Sequence, residues 1–222
     1  MASLAEVHAE MDSLIDALCE IPRRWDGKTA IQTMKDADDR NWRQMEWIGF
    51  YGEFIARPLL ARLPSIRVPG ERFGNVSFDI SGAINWDLKT HPNSSAGVIL
   101  NDQEAVLNSL DRHGYHGFIV FAADCEFDDG DGSFKKWHDD LKGGRSAYEM
   151  ERVSRGAPSR RRKTAARLTA IHFLIIEHST LSIFESAQKG WRNSDGSPRR
   201  GKFSVTHEAL IQHSRTVDLL SD

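Results

Sequence analysis

Cysteine is scarce in this chain, whose 222 residues include only Cys19 and Cys125. Two cysteines without a motif are too few for a disulfide framework or a zinc site, so a reducing, cytoplasmic location is expected. Long hydrophobic runs are also lacking, and no apolar stretch is long enough to cross a membrane. The first twenty residues combine apolar positions at helical spacing with acids, which predicts an amphipathic helix and not a signal peptide.

Neither a Ser/Gly-rich linker nor an internal repeat divides the chain, which predicts a single domain over residues 1–222. The pattern of apolar and charged residues changes twice along the sequence. These changes indicate an N-terminal helical segment (1–37), a central core (38–177), and a C-terminal basic loop and helix (178–222).

The core alternates between helical and strand-like patterns. Apolar residues at helical spacing predict a long helix from Asp38 to about Arg62 and a second helix from Asp102 to His113. The continuous apolar run Phe118–Ala122 is typical of a buried central strand, and Leu168–Glu177 predicts a further strand in the same sheet. The expected fold class is therefore α/β, with a mixed α+β sheet.

Two short strands, 76–80 and 84–91, carry the chemically most informative residues. Side chains alternate across a strand, so Asp87 and Lys89 share one face of the second strand and its apolar residues take the other. In the first strand, Asp79 likewise lies opposite the apolar side chains. Both strands are thus predicted to be apolar on one side and reactive on the other.

The loop between these strands decides whether the two acids meet. A two-residue loop would put Asp79 on the wrong face, whereas a three-residue loop over Ser81–Ala83, with an irregularity at Gly82, pairs Asp79 with Asn85. Asp79 and Asp87 then become diagonal neighbours, with backbones roughly 7–8 Å apart. Mg²⁺ binds one or two carboxylates and keeps several waters, so these acids predict a magnesium site.

Asp79, followed across a hairpin by Asp87-Leu88-Lys89, resembles the D…(D/E)xK signature of the PD-(D/E)xK nuclease superfamily, with Phe78 at the nominal proline. The chain as a whole looks like a type II restriction endonuclease. The resemblance implies an αβββαβ core with flanking helices, and Mg²⁺, or Mn²⁺ in its place, bound by Asp79, Asp87 and the Leu88 carbonyl, with Lys89 as the catalytic lysine. It further implies double-stranded DNA as substrate, a homodimer, and a companion DNA methyltransferase in the host.

The helix before the motif is expected to supply a further acid. Many members of the superfamily have one there, and Glu53 resembles that residue, although an ordinary exposed glutamate is the alternative. Gly49 and Gly52 leave the helix surface thin beside Glu53, which predicts close approach of a strand or of the active site.

A net charge of −3 is unusual for a DNA-binding protein, but the basic residues are clustered. The stretches 152–167 and 189–202 are strongly basic and contain Gly, Pro and Ser, which favours mobile loops that contact a phosphate backbone. His91 is expected to face DNA or the scissile phosphate. The other candidate DNA-binding residues are Asn93, Arg160, Arg161, Arg162, Lys163, Asn193, Arg199 and Arg200.

Several alternatives remain open from the sequence. One alternative is a solvated amphipathic hairpin whose charges face water, with the basic stretches as ordinary solvated loops. Within the same superfamily, a structure-specific repair or junction-resolving nuclease is the nearest alternative, and a non-catalytic DNA-binding module is a third. The acidic stretch 124–132 is not predicted to be a calcium loop, because Lys135 stands where an EF-hand needs its bidentate glutamate.

Overall fold

A computed structural model describes residues 1–128, 130, 132–145, 147–156, 161–187 and 200–220. The fold is mixed α and β, as the sequence predicted. The helices are α1 (Leu4–Leu18), α2 (Gly27–Asp36), α3 (Trp47–Leu60), α4 (Gln103–His113), α5 (Ser133–Leu141), α6 (Ala147–Ser154) and α7 (His207–His213). The strands are β1 (Arg24–Asp26), β2 (Arg72–Phe73), β3 (Val76–Ser77), β4 (Ile80–Ser81), β5 (Asn85–Pro92), β6 (Gly97–Asp102), β7 (His116–Phe127), β8 (Lys163–Ile176), β9 (Glu185–Ala187), β10 (Lys202–Thr206) and β11 (Arg215–Asp218).

The main sheet is six-stranded, with the order β1-β8-β7-β5-β4 and β11 also paired to β8. Strands β5 and β7 are parallel, and α4 lies between them in the chain. Between α3 and α4 the chain has five strands, β2 to β6, where the expected αβββαβ order has three; β4 and β5 join the main sheet, and β2 and β3 form a separate pair. However, β6 leaves the main sheet and pairs with β10 in a separate three-stranded sheet.

Strand β7 lies at the centre of the core, with apolar packing on both faces. Phe118 to Ala122 are at most 3% exposed, which confirms the predicted buried strand. Ile119 and Phe121 pack in a cluster with Trp86, Leu88 and the helices α1, α2 and α3. Phe118 and Val120 belong to a second cluster with α4, β6 and β10. The predicted strand from Leu168 is also present, and it begins earlier, at Lys163.

The helix predicted from Asp38 to Arg62 is shorter than expected. A 3-10 turn over Arg40–Arg43 precedes α3, which includes Pro58 in its last turn and ends at Leu60. Gly52 confirms the predicted close approach, because a Cβ atom there would lie 2.5 Å from Thr90 Oγ1 of β5. Gly49 has open space around it and contributes no such contact. The close packing at Gly52 brings the next residue of α3 to the edge of β5.

The hairpin between β4 and β5 has the predicted loop length but a different register. Ser81 pairs with Asn85, so the three loop residues are Gly82–Ile84 and not Ser81–Ala83. Extending this register places Asp79 directly beside Asp87, and the predicted pairing of Asp79 with Asn85 is wrong by two residues. A shift of two preserves the alternation of faces, so both acids still lie on one side.

A buried carboxylate from α1 fixes the hairpin loop. Glu10 is 7% exposed and accepts hydrogen bonds from the backbone N–H of Ala83 at 2.5 Å and from the indole Nε1 of Trp86 at 2.8 Å. A Cβ atom at Gly82 would collide with the Glu10 carboxylate, so a larger residue at this loop position would displace the Glu10 side chain. The register therefore depends on a residue more than 70 positions away in the sequence.

Replacing Glu10 by alanine is expected to lower the free energy of unfolding by about 2–3 kcal/mol, because it leaves buried N–H donors without an acceptor. Glu10→Gln retains an acceptor oxygen and should lose clearly less. Urea denaturation followed by circular dichroism measures both changes. Equal midpoints for wild type and Glu10→Ala would contradict the role of Glu10 in the loop.

The two flanking segments are more closely integrated than the sequence indicated. Segment 1–37 contains β1, and segment 178–222 contains β9, β10 and β11 besides α7. Both β1 and β11 pair with β8, so each flank contributes a strand to the main sheet. Among the described residues, no helix has the length and apolar character needed to span a membrane.

Candidate metal and catalytic site

The predicted acids and lysine meet beside the open edge of β5. In the described part of the chain, β4 pairs with this edge only at Asn85 and Trp86, so the following residues of β5 have no strand partner on that side. Lys89 Nζ lies 3.9 Å from Asp79 Oδ2 and 3.9 Å from Asp87 Oδ1. The structure thus brings together the three residues that carry the D…DxK pattern.

Asp79 is fixed by the backbone of the opposite strand. Its Oδ2 accepts a hydrogen bond from the Leu88 N–H at 2.8 Å, and the residue is 9% exposed. Burial is the main cause that raises the pKa of Asp79, and the negative charge of Asp87 adds to it, against the opposing effect of Lys89. Burial therefore disfavours the ionised form of Asp79.

Asp87 lies deeper, at 1% exposure, with its two oxygens in different surroundings. Oδ2 accepts a hydrogen bond from Asn101 Nδ2 at 2.7 Å and lies 3.2 Å from His116 Nε2, whereas Oδ1 faces Lys89. Burial alone would raise the pKa of Asp87, but Lys89 and His116 outweigh it, so the pKa is lowered. The alternative of a solvated hairpin is wrong for this residue, because Asp87 is enclosed and paired.

Lys89 is a charged group in the middle of the acids. Its Nζ donates a hydrogen bond to the Leu88 carbonyl at 2.9 Å, the oxygen predicted as a metal ligand. Burial lowers the pKa of Lys89, but Asp87, Asp79 and Glu53 together more than offset this effect and raise it. A protonated ammonium group therefore stands next to both aspartates.

Glu53 completes the cluster from α3, as predicted. Its Oε2 lies 3.1 Å from Arg57 Nη2, and the same guanidinium nitrogen is 3.6 Å from Asp79 Oδ1. Burial, followed by the negative charge of Asp79, raises the pKa of Glu53 to about 7. Sequence analysis did not identify Arg57, although its position four residues after Glu53 on one helix face was a usable signal.

The raised pKa of Glu53 makes the stability of the metal-free protein depend on pH. Between the ordinary pKa of 4.5 and about 7, the folded state holds a proton on Glu53 that the unfolded state has lost. Stability from this group is therefore present at lower pH and lost as pH rises through about 7. Relative to Glu53→Gln, wild type should lose about 1–2 kcal/mol of unfolding free energy between pH 5.5 and 8, measured by urea denaturation in EDTA. A constant difference between the two proteins would contradict the assignment.

The donor set fits a hard divalent cation that keeps part of its water. No group of three or more His, Cys, Asp or Glu side chains in the described ranges is already arranged to hold a metal ion. Two cationic side chains, Arg57 and Lys89, instead lie among the acids. They face three carboxylates, those of Glu53, Asp79 and Asp87. Mg²⁺ needs only one or two of these carboxylates, and the Asp79 and Asp87 oxygens that face the two cations are suited to it.

His91 lies in the protein interior, which is contrary to its predicted DNA-facing position. The residue is 4% exposed, and its ring centroid is 5.7 Å from that of His207, whose ring is in turn 6.3 Å from that of His172. Burial, with the neighbouring His207, lowers the pKa of His91 to about 4. No spacing of histidines along the chain indicated this cluster.

The other predicted DNA-binding residues are dispersed. Arg162 is 4% exposed and so is not a surface group, while Lys163 is the first residue of β8 and forms an ion pair with Glu46. Asn93 Nδ2 donates to Asp124 Oδ1 at 2.9 Å and to Thr169 Oγ1 at 3.0 Å.

Two exposed arginines from the predicted basic set have contacts of their own. Arg161 lies over the ring of Phe127, and Arg200 lies near Asp102 and Glu104. Arg160, Asn193 and Arg199 lie outside the described residues. Stretch 152–167 is not a single loop, since it includes the end of α6 and the start of β8.

Comparisons with known proteins give no relative for this chain: no family model, curated protein or solved structure matches it.

Proposed function

We propose that this protein is a Mg²⁺-dependent endonuclease that hydrolyses phosphodiester bonds of double-stranded DNA. The observation that carries the proposal is the convergence of Asp79, Asp87 and Lys89 within 3.9 Å contacts at an open strand edge, with Glu53 beside them. Carboxylates for a metal ion together with a charged amine for a phosphate suit phosphoryl chemistry, in which most of the catalysis is positioning and charge stabilisation.

Each residue has a distinct role in this proposal. Asp79, Asp87 and the Leu88 carbonyl would hold the metal ion, and Glu53, which pairs with Arg57 in this structure, would be a further carboxylate for it. When bound, Mg²⁺ would supply Lewis acidity, which would polarise the phosphoryl group and lower the pKa of the attacking water. Lys89 orients the attacking water and offsets negative charge that develops on the phosphate.

Within this class, a type II restriction endonuclease is the activity that the D…DxK resemblance favours. Such an enzyme acts as a homodimer, because two-fold protein symmetry matches a palindromic DNA site. Mn²⁺ should replace Mg²⁺, and a companion DNA methyltransferase would protect the host DNA. A structure-specific nuclease of the same superfamily would use the same four residues on a different DNA shape.

The test is digestion of unmethylated plasmid and phage DNA by the purified protein with Mg²⁺, Mn²⁺ or EDTA, read on a gel. Discrete fragments that require the metal would establish a sequence-specific nuclease and locate its site. Metal-dependent cleavage of branched DNA alone would favour the junction-resolving alternative. DNA binding without hydrolysis of any substrate would contradict the proposal and favour a non-catalytic binding module.

A further inference from the structure

A buried chain of polar side chains runs from β4 to the inner oxygen of Asp87. Its members Ser81, Asn85, Ser109 and His116 are at most 7% exposed, and both Ser109 and His116 are fully enclosed. The links are Ser81 Oγ to Asn85 Oδ1, Asn85 Nδ2 to Ser109 Oγ at 3.1 Å, and Ser109 Oγ to His116 Nδ1 at 3.1 Å. Buried polar groups in such a chain need a consistent assignment of donors and acceptors.

The outer end of the chain fixes the direction of the first two hydrogen bonds. Asn85 Nδ2 lies 3.4 Å from a carboxylate oxygen of Glu71, which can only accept, so the amide nitrogen must face that way. Asn85 Oδ1 therefore faces Ser81, and the Ser81 hydroxyl donates to it. Ser81 Oγ in turn accepts the backbone N–H of Glu71 at 2.7 Å.

The same logic sets the tautomer of His116. Ser109 Oγ accepts a hydrogen from Asn85 Nδ2, so its own hydrogen is available for His116 Nδ1. With Nδ1 as acceptor, the ring proton lies on Nε2, which is 3.2 Å from Asp87 Oδ2. This contact is not well aligned, and the buried Nε2 has no hydrogen-bond partner in the structure. A small rotation of the ring would direct its proton at Asp87.

We infer that His116 is a positioning residue for Asp87. The Asn101 amide donates to Oδ2, and a small rotation of the His116 ring would direct its Nε2–H at the same oxygen, which leaves Oδ1 directed at the site beside Lys89. Hydrogen-bonded partners of this kind orient a metal-binding carboxylate before the metal arrives, and their loss typically weakens metal binding about 10–100-fold. The consequence for metal affinity rests on the proposed function, whereas the tautomer does not.

The surroundings of His116 allow a direct test. Its ring packs between Phe78 and Phe118, with centroids 5.4 and 4.7 Å away, so a phenyl ring should fit in its place. His116→Phe removes both nitrogens from the chain, while His116→Gln keeps an amide that can donate to Asp87. His138→Phe is the matched control, because His138 is also buried, at 1% exposure, and also contacts an oxygen, the Trp42 carbonyl at 2.9 Å, but outside the site.

Two measurements on the full chain test the inference, with folding of each variant checked by circular dichroism. Calorimetry of Mn²⁺ binding without DNA should show about 10–100-fold weaker binding for His116→Phe, a smaller loss for His116→Gln, and no change for His138→Phe. Nitrogen-15 NMR of the metal-free protein should show His116 protonated on Nε2.

Unchanged Mn²⁺ affinity in His116→Phe, or a proton on Nδ1, would overturn the inference. Equal losses in His116→Phe and His138→Phe would also overturn it, because the effect would then follow from losing any buried histidine. A third outcome is that His116→Phe weakens Mn²⁺ binding although the wild-type protein cleaves no DNA. That outcome would support the positioning role and would contradict only the proposed function. A wild-type protein that binds no Mn²⁺ would overturn both.

Discussion

Replacing Lys89 by alanine is expected to lower the rate of DNA cleavage about 10³-fold, equivalent to about 4 kcal/mol of transition-state stabilisation. Among the described residues, the Lys89 ammonium group is the positive charge that contacts both aspartates, whereas Arg57 contacts Asp79 alone of the two. Removal of the ammonium group also relieves competition for the carboxylates, so Mg²⁺ affinity should be unchanged or higher. Single-turnover cleavage and calorimetry separate these two effects.

Two further variants make the Lys89 result specific. Lys89→Met retains the apolar stem without the charge and should be as inactive as Lys89→Ala. Lys135→Ala removes a half-buried lysine that is ion-paired to Asp139 and Glu149 away from the site, and it should cleave normally. Wild-type cleavage by Lys89→Met would show that the amine has no catalytic role.

Asp79→Asn and Asp87→Asn should both abolish metal-dependent cleavage, with Mg²⁺ affinity reduced about 100-fold or more, since partners of metal ligands alone account for about 10–100-fold. Their effects on stability should be opposite. The pKa of Asp79 is raised, chiefly by burial, so its charge opposes folding and the amide should be neutral or stabilising at pH 8. The pKa of Asp87 is lowered, because Lys89 and His116 outweigh burial, so Asp87→Asn should cost about 2 kcal/mol.

Urea denaturation of the metal-free variants at pH 8, combined with Mn²⁺ calorimetry, tests this pair of predictions. The pair offers an internal control, because the substitution and the side-chain size are the same at both positions. If Asp79→Asn proves as destabilising as Asp87→Asn, the two carboxylates do not have the different surroundings described above. If either variant retains wild-type metal affinity, that aspartate is not a ligand.

The strand alternation around the hairpin was predictable because it depends only on local geometry. Side chains two residues apart share a face in any strand, so Asp87 and Lys89 had to lie together, and an odd loop had to bring Asp79 to the same side. The loop length could be predicted for the same reason. The register could not, because it is set by the Glu10 carboxylate of α1, which no local pattern connects to Ala83.

The residues around the acids depended on long-range packing in the same way. Asn101 and His116 reach Asp87 because β6 and β7 lie beside β5, and neither belongs to a motif with a readable spacing. The prediction for His91 failed for a related reason. Alternation placed it on the reactive face of β5, but it did not show that His172 and His207 cover that end of the strand.

Local patterns were enough to predict the mixed α and β class, the buried central strand and the common face of two acids and a lysine, because periodicity and alternation act over a few residues. Long-range packing, in contrast, places β6 outside the main sheet, aligns Asp79 with Asp87, and gives the two carboxylates different surroundings. Burial and charge partners come from residues distant in the chain, and the chemistry of an acid depends on them more than on its own position in a motif.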